Sequence, residues 1–474
     1  MTHVPSTLTG KDLLALGYPQ DKTMGLALRL LAEHFATTPQ DEQRHLLAQV
    51  LAQPAEFLTH ATLAPLAEAL TAPKTPAMIP LHPAPLPFAV YDGAGIQNGA
   101  RRQMETAMRL PVAVAGALMP DAHQGYGLPI GGVLATRNAV IPYGVGVDIG
   151  CRMCLTLYPA PADLITRERD TLKKILLDNT RFGRATFQKP LEHAVIDRTE
   201  FAEIPVLRGL KDRAFAQLGS SGGGNHFVEF GTVALSDAQN EFGLPVGEYL
   251  AVLSHSGSRG MGAAIAGHYT KLAMQACPLP PEARHLAWLD LNSEAGQEYW
   301  LAMNLAGDYA SACHHQIHAR LAQALALEPL ALVENHHNFA WKELDAQGQE
   351  LIVHRKGATP AGLGVLGIIP GSMTAPGFIV RGRGTAASVN SASHGAGRQL
   401  SRTLAKNTLS PAMVKQHLEE AGVELIGSGL DEAPMAYKDI HQVMAAQQEL
   451  VDVVGTFTPK IVRMCGDEQY LEGE

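Results

Sequence analysis

The chain has 474 residues, of which 46% are hydrophobic, and this is enough apolar material for one large or two ordinary domains. Its apolar runs, such as residues 111–120 and 128–135, stop well short of the roughly 18 residues that a membrane span requires. The net charge of -9 argues mildly against a nucleic-acid partner, because binding a phosphate backbone depends on Lys and Arg. We therefore expect a globular protein with no membrane span.

The N-terminus and the cysteines both favour a cytoplasmic protein. Residues 1–10 lack the basic start and the apolar core of a secretory signal. The five cysteines are an odd and sparse set that cannot all pair, in a chain large enough to fold without disulfides. The expected localisation is therefore the cytoplasm.

The first part of the chain has helical periodicity. Leucines recur at helical spacing between residues 11 and 70, and Pro54 interrupts the pattern. Six prolines follow between Thr71 and Pro87, which is typical of a linker. We predict a small helical N-terminal segment with a Pro-rich linker over residues 1–85, and a catalytic domain over residues 86–474.

From the linker onward, short β-rich runs alternate with Gly-rich turns and a few helices, which predicts an α+β fold. The predicted strands include residues 112–115, 133–136, 250–254, 352–354 and 378–381. The predicted helices are residues 163–178, 294–325, 411–421 and 440–454, with a further helix expected over residues 395–406.

A Gly-rich segment contains two candidate metal ligands. Asp148 and Cys151 are three residues apart in Gly146-Val-Asp-Ile-Gly-Cys, close enough for a carboxylate and a thiolate to reach one metal ion or two adjacent ions. A thiolate in this position is able to bridge two ions. Taken alone, the segment is equally compatible with a structural turn around a buried, inert cysteine.

Three histidines in polar loops of small residues add to this pair: His226, His255 and His337. A lone histidine is more often structural, but imidazole, carboxylate and thiolate together suit Mn, Fe, Co or Zn. Cys151 and Cys154 have CxxC spacing, yet no second pair completes a closed structural zinc site. We therefore favour an open, catalytic metal site.

Residues 351–418 contain no Asp or Glu but several Lys and Arg residues, and they are rich in Gly. Gly allows backbone N–H groups to approach an anion closely, so we interpret this window as a phosphate-binding region. His394, in His394-Gly-Ala-Gly-Arg398, is a candidate nucleophile that forms a phosphoramidate, with Arg398 stabilising the transferred phosphoryl group. Taken alone, His394 is better explained as a loop histidine at the start of a helix.

Taken in order, these segments resemble the RtcB family of RNA-splicing ligases. The resemblance spans roughly residues 90 to 465 and implies an RtcB-like α+β fold with a central metal-containing cleft. It is carried by Met119-Pro-Asp-Ala-His-Gln-Gly-Tyr-Gly, Gly146-Val-Asp-Ile-Gly-Cys, Gly224-Asn-His-Phe-Val-Glu229, His255-Ser-Gly-Ser-Arg-Gly, His337-Asn338, His354-Arg-Lys-Gly-Ala-Thr359, Pro370-Gly-Ser-Met373, His394-Gly-Ala-Gly-Arg398 and Asp431-Glu-Ala-Pro434.

The resemblance implies a reaction. In such enzymes the histidine matching His394 attacks GTP to form a histidine-GMP adduct, and GMP passes to an RNA 3'-phosphate, whose activated end a 5'-hydroxyl then attacks. A 2',3'-cyclic phosphate is first opened to the 3'-phosphate. The implied cofactors are two Mn2+ ions and GTP, and the implied partner is RNA with these ends, in RNA repair or tRNA splicing. The sequence leaves open whether an activating protein is also a partner.

The resemblance also assigns roles to individual residues. The implied metal ligands are Asp148, Cys151, His226, His255 and His337. The implied nucleotide contacts are Asn225, His226, Phe227, Val228, Glu229, His337, Asn338, Pro370, Gly371, Ser372, Met373, His394, Gly395, Ala396 and Gly397.

Four positions depart from the family's pattern. Arg152 stands where the family usually has Gly, and Pro360 stands where it has Arg, so we expect differences in the handling of RNA ends. Gly377 replaces a serine that would contact the nucleotide. The family closes on a Lys-Gly that reaches the guanine, whereas this chain has Met464-Cys-Gly466 and an acidic tail, which leaves the strictness of the guanine preference open.

Two other classes of function compete with ligation. A metal-dependent phosphoesterase acting on RNA ends would need the metal ligands but not His394. A non-catalytic RNA-binding protein would need neither, and the complete set of ligands together with His394 argues against it.

Overall fold

The structure, a computed structural model, describes residues 8–19, 22–71, 78–91, 95–161 and 163–466. The chain divides into two compact units, Met1–Ala77 and Met78–Glu474. Residues 72–77 of the predicted linker and the acidic tail 467–474 lie outside the described residues. Ile79 and Leu86, also in or beside the predicted linker, donate backbone hydrogen bonds to Pro278 and Met108 of the larger unit.

The smaller unit contains the helices α1 Gly10–Ala15, α2 Lys22–His34, α3 Gln40–Ala52 and α4 Ala64–Thr71. The leucines at helical spacing supply its core, in which Leu13, Leu31, Leu47 and Leu66 are fully buried. Pro54 starts a short 3-10 helix after α3, because its ring cannot continue the α-helix.

The larger unit is built from strands and helices in alternation. Its strands are β1 Ala89–Val90, β2 Ala113–His123, β3 Ile130–Thr136, β4 Ala139–Val140, β5 Arg152–Tyr158, β6 Phe227–Leu235, β7 Gly247–Ser256, β8 Leu289–Asp290, β9 Ala331–His336, β10 Asn338–Leu344, β11 Glu350–Lys356, β12 Ala358–Pro360, β13 Leu366–Ile369, β14 Gly377–Gly382, β15 Ser391–Ser393, β16 Glu424–Ile426 and β17 Val451–Met464. Its helices are α5 Asn98–Ala107, α6 Pro142–Val145, α7 Leu164–Arg167, α8 Arg169–Asn179, α9 Glu200–Glu203, α10 Pro205–Arg208, α11 Lys211–Gln217, α12 Arg259–Ala276, α13 Glu294–Leu325, α14 Arg402–Thr408, α15 Pro411–Ala421 and α16 Ile440–Ala445.

Two large sheets organise the larger unit. One has the strand order β1-β2-β3-β11-β10, and the other has the order β13-β14-β17-β6-β7-β5-β9 with β16 paired to β17. The second sheet is buried on both faces. Alternate residues of β7 show this, because Val252 packs with Ile317 of α13 whereas Leu253 packs with Ile368 on the other face. The predicted α+β class is confirmed.

The predicted strands are all present, and the predicted helices 294–325 and 411–421 coincide with α13 and α15. The prediction of a helix over residues 440–454 is wrong in its second half. Helix α16 ends at Ala445, and the β-branched residues from Val451 onward begin β17, which pairs with β14 and β6.

The prediction of a helix over residues 395–406 is also wrong at its start. Helix α14 begins only at Arg402, where the side chain of Ser401 caps it by accepting from the Leu404 N–H. Gly397 lies before it with φ +71°, and a Cβ there would lie 2.0 Å from the carbonyl oxygen of Asp121. The segment after His394 therefore stays in a turn pressed against β2.

No helix in the described part of the chain is long and apolar enough to cross a membrane.

Gly150 provides a test of the packing between the Asp148 loop and α13. It has φ +71°, and a Cβ there would lie 2.8 Å from the Cα of Gly307. Gly150→Ala should therefore lower the free energy of unfolding by about 3 kcal/mol, from left-handed strain plus a backbone clash. Urea unfolding followed by tryptophan fluorescence measures this in the larger unit, which contains all three tryptophans, Trp288, Trp300 and Trp341.

Gly348→Ala is the matched control. Gly348 has φ +75° but nothing within 4 Å of a Cβ, so the variant should lose only about 1 kcal/mol. Equal losses in the two variants would show that the contact with α13 contributes nothing.

Candidate active site

The ends of several strands meet at one edge of the large mixed sheet. Strand β5 is antiparallel to β7, with Arg152 opposite Ser256, so the start of β5 lies beside the end of β7. Strand β9 ends, and β6 begins, at the same edge, the latter with Phe227 opposite His255. This register brings together Cys151, His226, His255 and His337, which the sequence separates widely.

Five candidate metal ligands form two overlapping groups. Cys151 Sγ lies 3.1 Å from His255 Nε2, and this atom is 3.2 Å from His337 Nε2. On the other side, Cys151 Sγ lies 3.5 Å from His226 Nε2, which is 2.9 Å from Asp148 Oδ2. Within each group the ligand atoms lie within 4.8 Å of one another. Cys151 belongs to both groups, so its sulfur stands where a bridging ligand would.

Two imidazoles of this cluster, those of His255 and His337, have a nitrogen lone pair available for a cation, whereas His226 accepts from the Gly222 N–H at Nδ1 and donates from Nε2 to Asp148. His255 Nδ1 donates to the Asn225 carbonyl at 3.0 Å, so the lone pair lies on Nε2. Burial lowers the pKa of His255 to about 3 and the pKa of His337 well below its usual value, so both rings are neutral at pH 7. His337 Nδ1 is buried with no hydrogen-bond partner among the described residues. The donor set therefore fits a metal ion.

Asp148 and Cys151 differ in protonation. Burial by itself raises the pKa of Asp148, but the charge and hydrogen bond of His226 outweigh it and bring the pKa to about 2. Burial, and then the neighbouring carboxylate of Asp148, raise the pKa of the Cys151 thiol well above its usual value. A cation that binds the sulfur must therefore displace a proton.

Asp121 orients His394. Its Oδ2 accepts from His394 Nδ1 at 2.6 Å and from the His394 backbone N–H at 3.2 Å. Because a carboxylate only accepts, Nδ1 carries the ring proton and Nε2 carries the lone pair. The His394 ring centroid lies 5.1 Å from that of His337, next to the metal ligands. This is the arrangement of an activated nitrogen nucleophile held by a buried carboxylate.

A cavity of about 330 Å³ contains these groups. Most of the residues to which the resemblance assigned a role line it: Asp148, Cys151, Asn225, Phe227, Glu229, His255, His337, Asn338, Pro370, Gly371, Ser372, Met373, His394, Gly395, Ala396 and Gly397. His226 does not line the cavity, but its Nε2 contacts two residues that do, Asp148 and Cys151. The side chain of Val228 points to the opposite face of β6, into the hydrophobic core.

One part of the cavity lining is apolar apart from the carboxyl of Glu229, whose neighbours in the sheet are Leu253 and Val462. Burial raises the pKa of Glu229 well above its usual value. Glu229 lines the cavity and is paired in the sheet with Val462 of β17, which also lines it. Met464 also lies in the wall of the cavity. Gly377 also lines it, and a Cβ there would lie 3.3 Å from the Cα of Pro370.

The other two departures lie away from the cavity lining. Arg152 is buried, forms an ion pair with Glu334 at 3.2 Å and donates to the Gly307 carbonyl of α13 at 2.7 Å. Pro360 ends β12, where it pairs with Ser391. Arg152 therefore joins the sheet to α13.

The basic residues of the acid-free window are largely neutralised by acidic residues. These pairs are Arg355 with Glu343, Arg381 with Asp237 and Glu241, Arg383 with Asp452, Arg398 with Glu432, Arg402 with Asp431 and Glu432, Lys406 with Asp431, and Lys415 with Glu419. Only Arg398 and Arg402 of the set line the cavity. The absence of acids in the sequence window did not produce an unpaired positive surface.

Sequence reasoning missed several residues of this site. Asp121 received no role, although an acidic residue in the otherwise apolar run 117–122 was a usable signal. His123, Glu432 and Tyr437 also line the cavity. Burial lowers the pKa of His123 to about 4, so this imidazole is neutral at pH 7. Glu432 belongs to the Asp431-Glu-Ala-Pro434 motif but received no role, whereas Tyr437 could not be placed from sequence, because contacts between distant segments bring it here.

A family model described as "tRNA-splicing ligase RtcB" matches residues 103–204 and 196–464. The chain is 35% identical over 397 residues to the RNA-splicing ligase RtcB1 of one Escherichia coli strain, covering 77% of this chain and 93% of that protein. It is 34% identical over 399 residues to the RNA-splicing ligase RtcB of Escherichia coli strain K12, with the same coverage. It is 32% identical over 418 residues to the tRNA-splicing ligase RtcB of Nanoarchaeum equitans, covering 73% of this chain and 87% of that protein.

The motifs, the convergence of their residues in one cavity and these similarities agree. The chain belongs to the RtcB family of tRNA-splicing ligases.

Proposed function

We propose that this protein is a GTP- and Mn2+-dependent RNA ligase that joins RNA 3'-phosphate or 2',3'-cyclic phosphate ends to 5'-hydroxyl ends. The observation that carries the proposal is the position of His394. Its Nδ1 is held by Asp121 at 2.6 Å, its ring lies 5.1 Å from the ring of His337, and both line one cavity. A phosphoesterase would use the metal ligands but has no need of a histidine oriented in this way.

The proposed first step uses the lone pair on His394 Nε2. This nitrogen forms a bond to the α-phosphorus of GTP, the bond to the pyrophosphate oxygen breaks, and pyrophosphate leaves. An oxygen of the RNA 3'-phosphate then displaces His394 and takes the GMP. Finally the 5'-hydroxyl attacks the 3'-phosphorus, loses its proton and releases GMP.

The proposed metal ligands are Asp148, Cys151, His226, His255 and His337. Bound there, Mn2+ would polarise phosphoryl oxygens and neutralise developing charge. Asp148 and three imidazoles suit Mn2+, and because Cys151 belongs to both ligand groups, its sulfur would be available to both ions.

The nucleotide is proposed to occupy the cavity beside these ligands. Glu229 is the acidic group available for the base at the apolar end, and Pro370–Met373 and His394–Gly397 supply small residues whose backbones can approach phosphates.

His394→Ala should abolish covalent labelling. With GTP labelled at the α-phosphate and Mn2+, the unaltered protein is expected to retain acid-labile GMP, because a phosphoramidate forms on the ring nitrogen. His441→Ala, at an exposed histidine of α16, is the control and should label normally. An unlabelled unaltered protein that still opens 2',3'-cyclic phosphates would identify a phosphoesterase instead.

Asp121→Asn should slow GMP incorporation by roughly 100-fold or more. An amide at this position can donate to Nδ1, which favours the ring proton on Nε2 and occupies the attacking nitrogen. Single-turnover labelling gives the rate, and metal content measured on the same sample should be unchanged. A rate equal to that of the unaltered protein would remove Asp121 from the mechanism.

The affinity for Mn2+ should rise with pH. Since the cation displaces the proton of the Cys151 thiol, whose pKa is raised, the apparent Kd should fall about tenfold per pH unit between about pH 7 and pH 8.5. Cys151→Ala should bind Mn2+ more weakly and with a much shallower slope. Anaerobic titration calorimetry at several pH values measures both, and parallel slopes would show that the sulfur is not a ligand.

A further inference from the structure

We infer that Cys154, His314 and His318 form a second metal site, separate from the cavity, which holds a Zn2+-type cation. One ligand atom from each residue lies within 4.8 Å of those of the other two, and all three residues are buried. The three are absent from the cavity lining. The site is therefore independent of the ligands proposed for catalysis.

The site lies between the sheet and the long helix. Cys154 is in the middle of β5, where it pairs with Ser254 of β7. His314 and His318 are four residues apart on α13, which places them on one face of that helix. The three donors thus come from two elements that pack against each other, and a bound cation would join them.

The two imidazoles are oriented as metal ligands usually are. His314 Nδ1 and His318 Nε2 both point to Ser254 Oγ, at 2.6 Å and 2.8 Å. Their other nitrogens have their own partners, the Ser256 carbonyl at 3.2 Å for His314 and Thr156 Oγ1 at 2.7 Å for His318. The Ser256 carbonyl only accepts, so it holds the His314 proton on Nε2 and leaves the Nδ1 lone pair toward the group, and the Thr156 hydroxyl can accept from His318 Nδ1, which would leave the Nε2 lone pair for a cation.

The donor set selects the class of cation. One thiolate and two imidazoles suit Zn2+, and the Ser254 hydroxyl between the two nitrogens offers a fourth donor, as a four-coordinate site needs. The group contains no carboxylate ligand, so it should discriminate against Mn2+, unlike the cavity group with Asp148. Glu334 is opposite Cys154 in the neighbouring strand, but its charge is already paired with Arg152 and it is not a further ligand.

The role that follows is structural. A closed, buried site with no open position leaves no place for a substrate. The cation would fix β5 and β7 to α13, and Cys151 immediately precedes β5 whereas His255 lies near the end of β7. The second site would therefore hold two of the cavity ligands in position from the opposite side of the sheet.

Cobalt substitution in the full-length Cys151→Ala protein tests the inference. This background lacks the cavity thiol, so any thiolate-to-cobalt charge-transfer band must come from another cysteine. We expect Co2+ alone to produce this band, which saturates at one thiolate-bound ion per chain whatever binds in the cavity, and Zn2+ to displace it. Adding Cys154→Ala should abolish the band, whereas adding Cys313→Ala, at a buried cysteine of α13 outside the group, should leave it unchanged.

A folded Cys151→Ala protein that shows no such band would overturn the inference. The side chains of Thr156, His318, Ser254 and His314 would then form only a neutral hydrogen-bonded network. If the Cys154→Ala variant does not fold, X-ray absorption at the zinc edge of the Cys151→Ala protein decides instead. Sulfur together with imidazole nitrogen around tightly held zinc supports the site, and a shell of nitrogen and oxygen alone refutes it.

Discussion

The antiparallel pairing of β5 with both β7 and β9 is the constraint on which the site depends. Arg152 lies opposite Ser256 of β7 and opposite His336 of β9. This register fixes the ends of the three strands, and with them the positions of Cys151 before β5, His255 near the end of β7 and His337 after β9. A slip of one residue in either ladder would turn the side chains of that strand to the other face of the sheet. The cavity ligands thus owe their positions to the hydrophobic pattern of strands buried on both faces.

The sheet also separates two kinds of polar chemistry. On the cavity side lie Cys151, His255 and His337, where His255 Nε2 is 3.1 Å from the Cys151 sulfur and 3.2 Å from His337 Nε2. On the helix side lie His314 and His318, each of which has a partner at both ring nitrogens. Buried polar groups on both faces of one sheet are unusual, because each of them needs its own hydrogen-bond partner.

Local patterns predicted the parts of the fold that local forces determine. The sequence alone was sufficient to place the helices over residues 294–325 and 411–421, which coincide with α13 and α15. The helix predictions failed where contacts between distant segments determine the backbone conformation. Residues 451–454 pair with β14 rather than extend α16, and Gly397 packs against Asp121 from a strand far away in the sequence.

The same limit applies to the site. Motif order placed His394 beside the metal ligands, but nothing in that order revealed Asp121 as the group that orients it. The charge pattern has the same limit, because it does not show which charges pair. Arg381 has no acidic neighbour in sequence, yet Asp237 and Glu241 neutralise it in space. Composition reports which charges are present, whereas the fold decides which of them meet.

The position of Cys151 in both ligand groups has a thermodynamic consequence. Only one proton is available on that sulfur, so the first cation to bind must displace it, and the second finds the sulfur already ionised. Two ions at the proposed centre would therefore be linked through a single ionisation, and occupancy of one position would promote occupancy of the other despite the repulsion between the cations. Loss of the Cys151 proton and assembly of the two-metal centre would therefore be thermodynamically coupled.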